Sequence, residues 1–400
     1  MRSLIPIPPD VLDAARLRRA KLGVTAVFVA HAVVFSSWAA HIPQVKAHLG
    51  LSDAALGTAL FGAPLGSVLA TVGCHWALPR WGSHRVVPVM VAGYAFAGMT
   101  VGLAPSGRWL FAALALWGTF QGGLDVAMNT QAGTVERVAH RPIMARFHGM
   151  WSVGALLGAT IGAACVSVGI GLAPQLTVLG VVVLIVGAAL TRGLMADEAA
   201  PTGSDADGRG RSWMNRTVAI LAAVAFASFL CEGAAADWSA IYVHDVVGAA
   251  AGIAGLSYAA YTLAMVIVRF GAMRLHSRVP ARRLLPTLAV IAAVGMSVTL
   301  ATANPLLSVI GFASLGAGVA LLVPTAFSAA YSAGRRGSAI AIVAATGWLG
   351  YLLSPPLIGH LAQLIGLSGA LVGIPVVILV AAVAIAGSRA FDAADEFHRD

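Results

Sequence analysis

The sequence contains few charged residues. Asp, Glu, Lys and Arg make up 10% of its 400 residues and 59% are hydrophobic, whereas soluble domains carry about 25% charged residues. Most of the surface must therefore face lipid. Acidic residues are the scarcer sign, with 16 Asp and Glu against 25 Lys and Arg. No basic stripe with interleaved aromatic residues accompanies the positive excess, so we expect no nucleic-acid partner.

Cysteine and catalytic motifs are also scarce. Cys74, Cys165 and Cys231 stand singly and far apart, which gives neither a disulfide framework nor the spacing of a zinc site. The sequence has no Gly-x-Ser-x-Gly elbow, no His-Glu-x-x-His pair and no phosphate-binding glycine loop. We therefore predict a protein that is not an enzyme and that uses neither a metal nor a cofactor.

The positive charges follow a regular order along the chain. Twenty-two of the 25 lie at the termini or in every second connection between long apolar segments. The others are Lys46 and Arg108, in the alternate connections, and Arg269, inside an apolar segment. Cytoplasmic loops of membrane proteins carry such an excess of Lys and Arg. This order predicts an even number of crossings of a bacterial inner membrane, with the lipid bilayer as partner and both termini in the cytoplasm.

The apolar segments are long enough to cross a bilayer. About 20 apolar residues span the roughly 30 Å hydrocarbon core, and the chain has twelve such runs. The predicted spans are 22–42, 54–78, 86–104, 110–132, 143–169, 174–191, 217–243, 251–275, 284–303, 306–329, 338–362 and 367–387.

One long polar break divides the spans into two sets of six. The halves echo each other, because Ser37–Ala40 near the outer end of span 1 matches Asp237–Ala240 near the outer end of span 7. A transporter built from six-helix units repeated in parallel holds its substrate between the halves near mid-membrane. The predicted organisation is a cytoplasmic N-terminal segment (1–21), a first bundle (22–191), a flexible cytoplasmic linker (192–216), a second bundle (217–387) and a cytoplasmic tail (388–400).

Several motifs point to one family. After span 2, Arg80 and Gly82 match the loop signature Gly-x-x-x-Asp-Arg-x-Gly-Arg-Arg, although Pro79 occupies its acidic position. The chain resembles a major facilitator superfamily transporter. That resemblance implies an all-α membrane protein, with twelve transmembrane helices in two pseudo-symmetric six-helix bundles, and we expect a functional monomer. Three stretches resemble the fucose-permease-like branch: Ser37–Gln44, Leu124–Asn129 and Phe147–Ser152.

Polar residues inside the spans are the candidates for transport chemistry. An ionisable group near the bilayer centre costs several kcal/mol and usually persists only where it faces a cavity or a partner. Gln121, Asp125 and Asn129 in span 4 are four residues apart and share one helix face. Three polar residues on one stripe predict a wet cavity. We expect Asp125 to carry protons, and the alternative is a structural hydrogen-bonding role.

Spans 5, 7 and 8 add further ionisable residues. Glu232 is the second proton-site candidate, or else a buried acid that holds helices together. Asp237 is predicted at an extracellular gate or interface. His148 is a proton-shuttle candidate, because an unperturbed imidazole has a pKa of about 6.5, or else a helix cap. Arg269 either extends its side chain to the cytoplasmic surface or supplies a counter-charge, and a direct pair with Glu232 requires helix tilt.

Other residues are assigned to packing, bending or cavity walls. Gly154, Gly158 and Gly162 are four residues apart, which predicts close helix contact. Pro324 in span 10 and Pro355–Pro356 in span 11 remove backbone donors and should kink their helices. Six aromatic residues are candidates for the cavity wall or gate: Trp38, Trp151, Tyr258, Tyr261, Trp348 and Tyr351.

The sequence therefore predicts a secondary transporter driven by a proton gradient. It would move a small polar metabolite by alternating access, and the resemblance makes a sugar-like molecule the first guess. Two alternatives stay open. One is a proton-driven efflux antiporter for drugs or lipid-like metabolites, and the other is a membrane sensor that does not transport.

Overall fold

A computed structural model of the chain describes residues 9–139, 143–197, 215–333 and 338–392. The start of the predicted N-terminal segment, most of the linker, the basic turn at Arg141 and the end of the tail lie outside these residues. The described chain is almost entirely helical. Its helices are α1 (Pro9–Ser37), α2 (Asp53–Trp81), α3 (Ser83–Val101), α4 (Gly107–Ala139), α5 (Met144–Ser167), α6 (Leu172–Leu190), α7 (Arg216–Ile241), α8 (Ala251–Phe270), α9 (Ala281–Thr302), α10 (Pro305–Val319 and Leu322–Ala333), and α11 with α12 (Ser338–Leu371, kinked at Gly366, and Gly373–Ala386).

The twelve helices lie where the hydrophobic runs predicted twelve spans. In the described part of the chain, ten helices are long and apolar enough to cross a membrane. The 19-residue α3 is not among these ten, and the apolar segment Gly373–Ala386 has 14 residues. Helix α1 begins at Pro9 rather than at residue 22, because proline fits the first turn of a helix, whose amides have no intrahelical partner.

Small residues let neighbouring helices approach closely. Along α5, the glycine stripe faces α1: a Cβ atom at Gly154 would lie 2.8 Å from the carbonyl oxygen of Val29, and one at Gly158 would collide with that of Val33. The predicted packing role of this stripe is confirmed. Close approach matters in a membrane, where helix association depends on van der Waals packing rather than on the hydrophobic effect.

Helix pairing repeats between the halves. In the first half α1 packs on α5 and α2 on α4, and in the second half α7 packs on α11 and α8 on α10. Between the halves, α5 packs on α8 and α2 on α11. At the second crossing, a Cβ atom on Gly57 would lie 3.0 Å from the Cα atom of Gly359. The contacts thus have the pseudo-symmetry that the sequence repeat predicts.

Two helices bend, and only one bends at its proline. Helix α10 breaks at Ala320 and Leu321, four residues before Pro324, because proline has no amide hydrogen and its ring collides with the carbonyl four residues earlier. The prediction for Pro324 is confirmed. The backbone through Pro355–Pro356 keeps helical angles, so the predicted kink there is wrong; the non-helical residue is Gly366, with φ of 76°.

The glycine stripe allows a stability test. We expect Gly158→Val to lower the melting temperature of the purified protein, because the added side chain must push α1 and α5 apart at a cost of about 1–3 kcal/mol. Gly73→Val is the matched control, since Gly73 is exposed and no heavy atom would lie within 4 Å of its Cβ. Equal melting temperatures for the two variants would contradict the packing role.

Candidate functional site

The polar stripe of α4 forms as predicted. Asn129 Nδ2 donates hydrogen bonds to the Asp125 carboxylate at 3.2 Å and to the Asp125 carbonyl oxygen at 2.8 Å. Gln121, Asp125 and Asn129 are all half-buried. Among the described residues, Asp125 has no ion pair, and its side chain's hydrogen-bond partner is the Asn129 amide. The stripe thus presents one carboxyl group without a cation beside it.

Arg269 connects α8 to the break in α10. Its Nε donates a hydrogen bond of 3.2 Å to the carbonyl oxygen of Ala320, which is the carbonyl that Pro324 leaves without a helical donor. The guanidinium charge also interacts electrostatically with Glu232 and His148. Of the two roles predicted for Arg269, this placement favours the counter-charge. His148 itself is exposed, and its ring meets that of Phe28 edge-on at 5.4 Å.

A second polar group forms where α7, α8 and α11 meet. Glu232 and Asp237 are half-buried, and both interact electrostatically with the phenol groups of Tyr258 and Tyr351. The rings of Tyr258 and Tyr261 stack with centroids 5.9 Å apart. These residues come from three different helices, so the fold gathers both acids of α7 and the tyrosines into one cluster.

The remaining aromatic candidates divide between this cluster and the first half. Trp348 stacks on Phe229 of α7 at 5.4 Å and meets Tyr351 edge-on at 5.9 Å. Trp151 Nε1 donates to His31 Nδ1 at 3.0 Å, joining α5 to α1. Trp38 is 5% exposed and packs edge-on against Trp117 at 6.5 Å. Trp348 and Tyr351 therefore adjoin the acids of α7, whereas Trp38 packs within the first half.

Sequence comparisons agree with this architecture. The family model of the Major Facilitator Superfamily matches residues 24–332. The chain belongs to the major facilitator superfamily. The transporter y4wD of Sinorhizobium fredii, itself described as uncharacterised, is 32% identical over 364 residues, which cover 88% of this chain and 96% of that protein. The membrane protein MosC of Rhizobium meliloti is 31% identical over 370 residues, covering 91% of this chain and 89% of that protein.

Solved structures of transporters have the same fold. The nucleoside transporter NupG superposes with a TM-score of 0.73 at 14% identity, over 92% of this chain and 99% of that one. A bacterial homologue of the human lysosomal transporter Spinster, in an inward-facing and unoccupied conformation, gives a TM-score of 0.70 at 16% identity, over 96% of this chain and 98% of that one. This superfamily member is therefore a multi-pass membrane transporter.

Charged side chains bridge the two halves of the transporter at the predicted extracellular end. Lys46 Nζ lies 2.7 Å from Asp53 Oδ1 and 2.7 Å from Asp245 Oδ2. His244 Nδ1 lies 2.7 Å from the other carboxylate oxygen of Asp245. Both His244 and Asp245 belong to a π-helical turn, Tyr242–Val246, that follows α7. The sequence did not single out Asp245; the ion-paired acid at this end lies ~12 Å along the helix from Asp237.

A carboxylate also reaches the turn after α2, where Pro79 replaces the acid of the family signature. Asp197 accepts hydrogen bonds from the Ser83 amide at 2.5 Å, from Ser83 Oγ at 2.6 Å and from Thr134 Oγ1 at 2.9 Å. A negative charge at the first turn of α3 is favourable, because the helix amides there carry partial positive charge. Asp197 therefore fastens the start of the linker to α3 and α4 of the transporter.

Proposed function

We propose that this transporter is proton-coupled and moves a small polar metabolite by alternating access between its two halves. The observation that carries the proposal is Asp125, a half-buried carboxyl whose side-chain partner among the described residues is an amide rather than a cation. An unpaired carboxylate is costly inside a membrane. Uptake of a proton removes that cost, so the charge of Asp125 can bias which conformation is favoured.

Glu232 is the second group in this scheme. Arg269 offsets its charge when the carboxyl is ionised, and the guanidinium is held against Ala320 by the break in α10. Protonation of Glu232 would release the electrostatic tie between α7 and α8. The two acids thus lie in opposite halves, which suits a proton that is taken up in one conformation and released in the other.

The surrounding groups suit a polar solute. Tyrosines, tryptophans, an amide and a guanidinium offer hydrogen-bonding and stacking partners, and the fold neighbour NupG is a nucleoside transporter. A sugar-like solute is the first guess by resemblance to the fucose-permease-like branch. We place the protein in a bacterial inner membrane as a functional monomer, with both termini in the cytoplasm, as the distribution of Lys and Arg predicts.

A flux assay in proteoliposomes tests this function. The purified transporter is reconstituted around a pH-sensitive dye, and a panel of sugars, polyols, nucleosides and amines is presented with an inward proton gradient. A symporter will accumulate its substrate and acidify the interior faster, whereas an efflux antiporter will accumulate substrate only under the opposite gradient. Protein-free liposomes and a protonophore are the controls. Solute movement without proton movement, or saturable binding without flux, would reject proton coupling.

A further inference from the structure

The three membrane carboxyls differ in what compensates their charge. Asp125 has the Asn129 amide at 3.2 Å, and Glu232 has the nearby charge of Arg269. Asp237 has neither a hydrogen bond nor an ion pair among the described residues, although it is only half-buried and therefore reachable. An acid in a membrane helix usually has a partner. In the described part of this protein, that partner is missing for Asp237.

Aromatic groups surround this acid. Asp237 interacts electrostatically with Tyr258 of α8 and Tyr351 of α11, and these rings contact Tyr261 and Trp348, with centroids 5.9 Å apart in each pair. The Tyr261 hydroxyl is a further buried polar group, on a residue 1% exposed, with no hydrogen-bond partner among the described residues. A carboxylate beside electron-rich ring faces is the combination that recognises organic ammonium groups.

The charge balance favours the same ligand. With the histidines neutral, the central polar groups are three carboxyls, Asp125, Glu232 and Asp237, and one guanidinium, Arg269, so the formal sum is −3 + 1 = −2. An anionic solute would be repelled by this arrangement. A neutral solute would leave Asp237 uncompensated, whereas a cationic solute would pair with it.

We propose that Asp237, with the rings of Tyr258 and Tyr351, forms a subsite for a protonated amine, and that the transported metabolite carries such a group. This proposal rests on the proposed transport function, because it names the substrate class of the same central site. The carboxylate pairs with the ammonium, and the rings bind its alkyl surface and positive charge.

Binding of a simple cation tests the subsite without knowledge of the natural substrate. The probe is tetramethylammonium, and its neutral counterpart of similar size is neopentyl alcohol. We expect tetramethylammonium to raise the melting temperature of the purified transporter saturably, and neopentyl alcohol to have no such effect. Asp237→Asn should weaken tetramethylammonium binding at least tenfold. Tyr351→Leu should weaken it as well, whereas Tyr351→Phe, which keeps the ring face, should not.

Three results would overturn the subsite. They are an absent response to tetramethylammonium, an equal response to the neutral probe, and unchanged affinity in Asp237→Asn. Asp237→Glu keeps the charge and replaces Asp237→Asn if that variant proves unfolded; it should retain binding. Asp125→Asn separates the two proposals, because it should keep the tetramethylammonium response while losing proton-driven flux. Cation binding in a protein that moves no protons would reject only the proposed coupling.

Discussion

Asp125→Asn is expected to abolish proton-driven accumulation of substrate while leaving the protein folded. The amide has almost the same shape as the carboxyl, and the Asn129 amide, now 3.2 Å from a carboxylate oxygen, can donate to an amide oxygen in the same place. What the variant lacks is a group that takes up and releases a proton. One proton per cycle at 100 mV contributes about 2.3 kcal/mol, or roughly 50-fold accumulation, so the ratio should fall to about one.

The accumulation ratio is measured in proteoliposomes with a proton gradient and a membrane potential. Substrate exchange without a gradient should persist in Asp125→Asn, since exchange needs no net proton movement. Asp125→Glu, which restores a carboxyl on a longer stem, should recover part of the uphill transport. The matched control is Asp392→Asn, an acid beyond the last helix of the transporter. Undiminished accumulation by folded Asp125→Asn would remove Asp125 from the mechanism.

The part of this structure that follows from local sequence could be predicted. Hydrophobic runs give twelve helices because a span needs only enough consecutive apolar residues. The contact between Asp125 and Asn129 follows from helical spacing, since residues four apart are neighbours. The break at Ala320 follows from Pro324, whose ring excludes the carbonyl four residues earlier. Each of these predictions needs information from within a few turns of one helix.

The pairs that join distant segments could not be predicted in this way. Lys46 and Asp245 are 199 positions apart, and Ser83 and Asp197 are 114 positions apart. Their contacts depend on how whole helices are arranged, which one sequence does not record. Lys46 did leave a trace, because it is a rare cation in a connection predicted to be extracellular. The kink at Gly366 was missed because a glycine in an apolar run is usually part of a packed helix.

Lys46→Met is expected to shift the transporter toward a conformation open at the predicted extracellular end. In the present conformation Lys46 joins Asp53 of α2 to Asp245 beyond α7, so one cation offsets two acids from opposite halves. Methionine keeps much of the apolar stem and removes the charge, which leaves the two carboxylates to repel each other. The side chains are partly exposed and partly screened, so we expect about 1–2 kcal/mol, or roughly a 5- to 30-fold change in the population ratio.

Spin labels at Leu103 and Leu364 report the opening. Both residues are highly exposed, at 71% and 79%, and lie in connections at the predicted extracellular end of opposite halves. In a background without the three native cysteines, Lys46→Met should populate longer label-to-label distances than the parent or Lys46→Arg. The exchange Lys46→Asp with Asp245→Lys should restore the shorter distances, because it again gives one cation between two acids. Identical distance distributions in all four proteins would mean that this ion pair does not hold the two halves together.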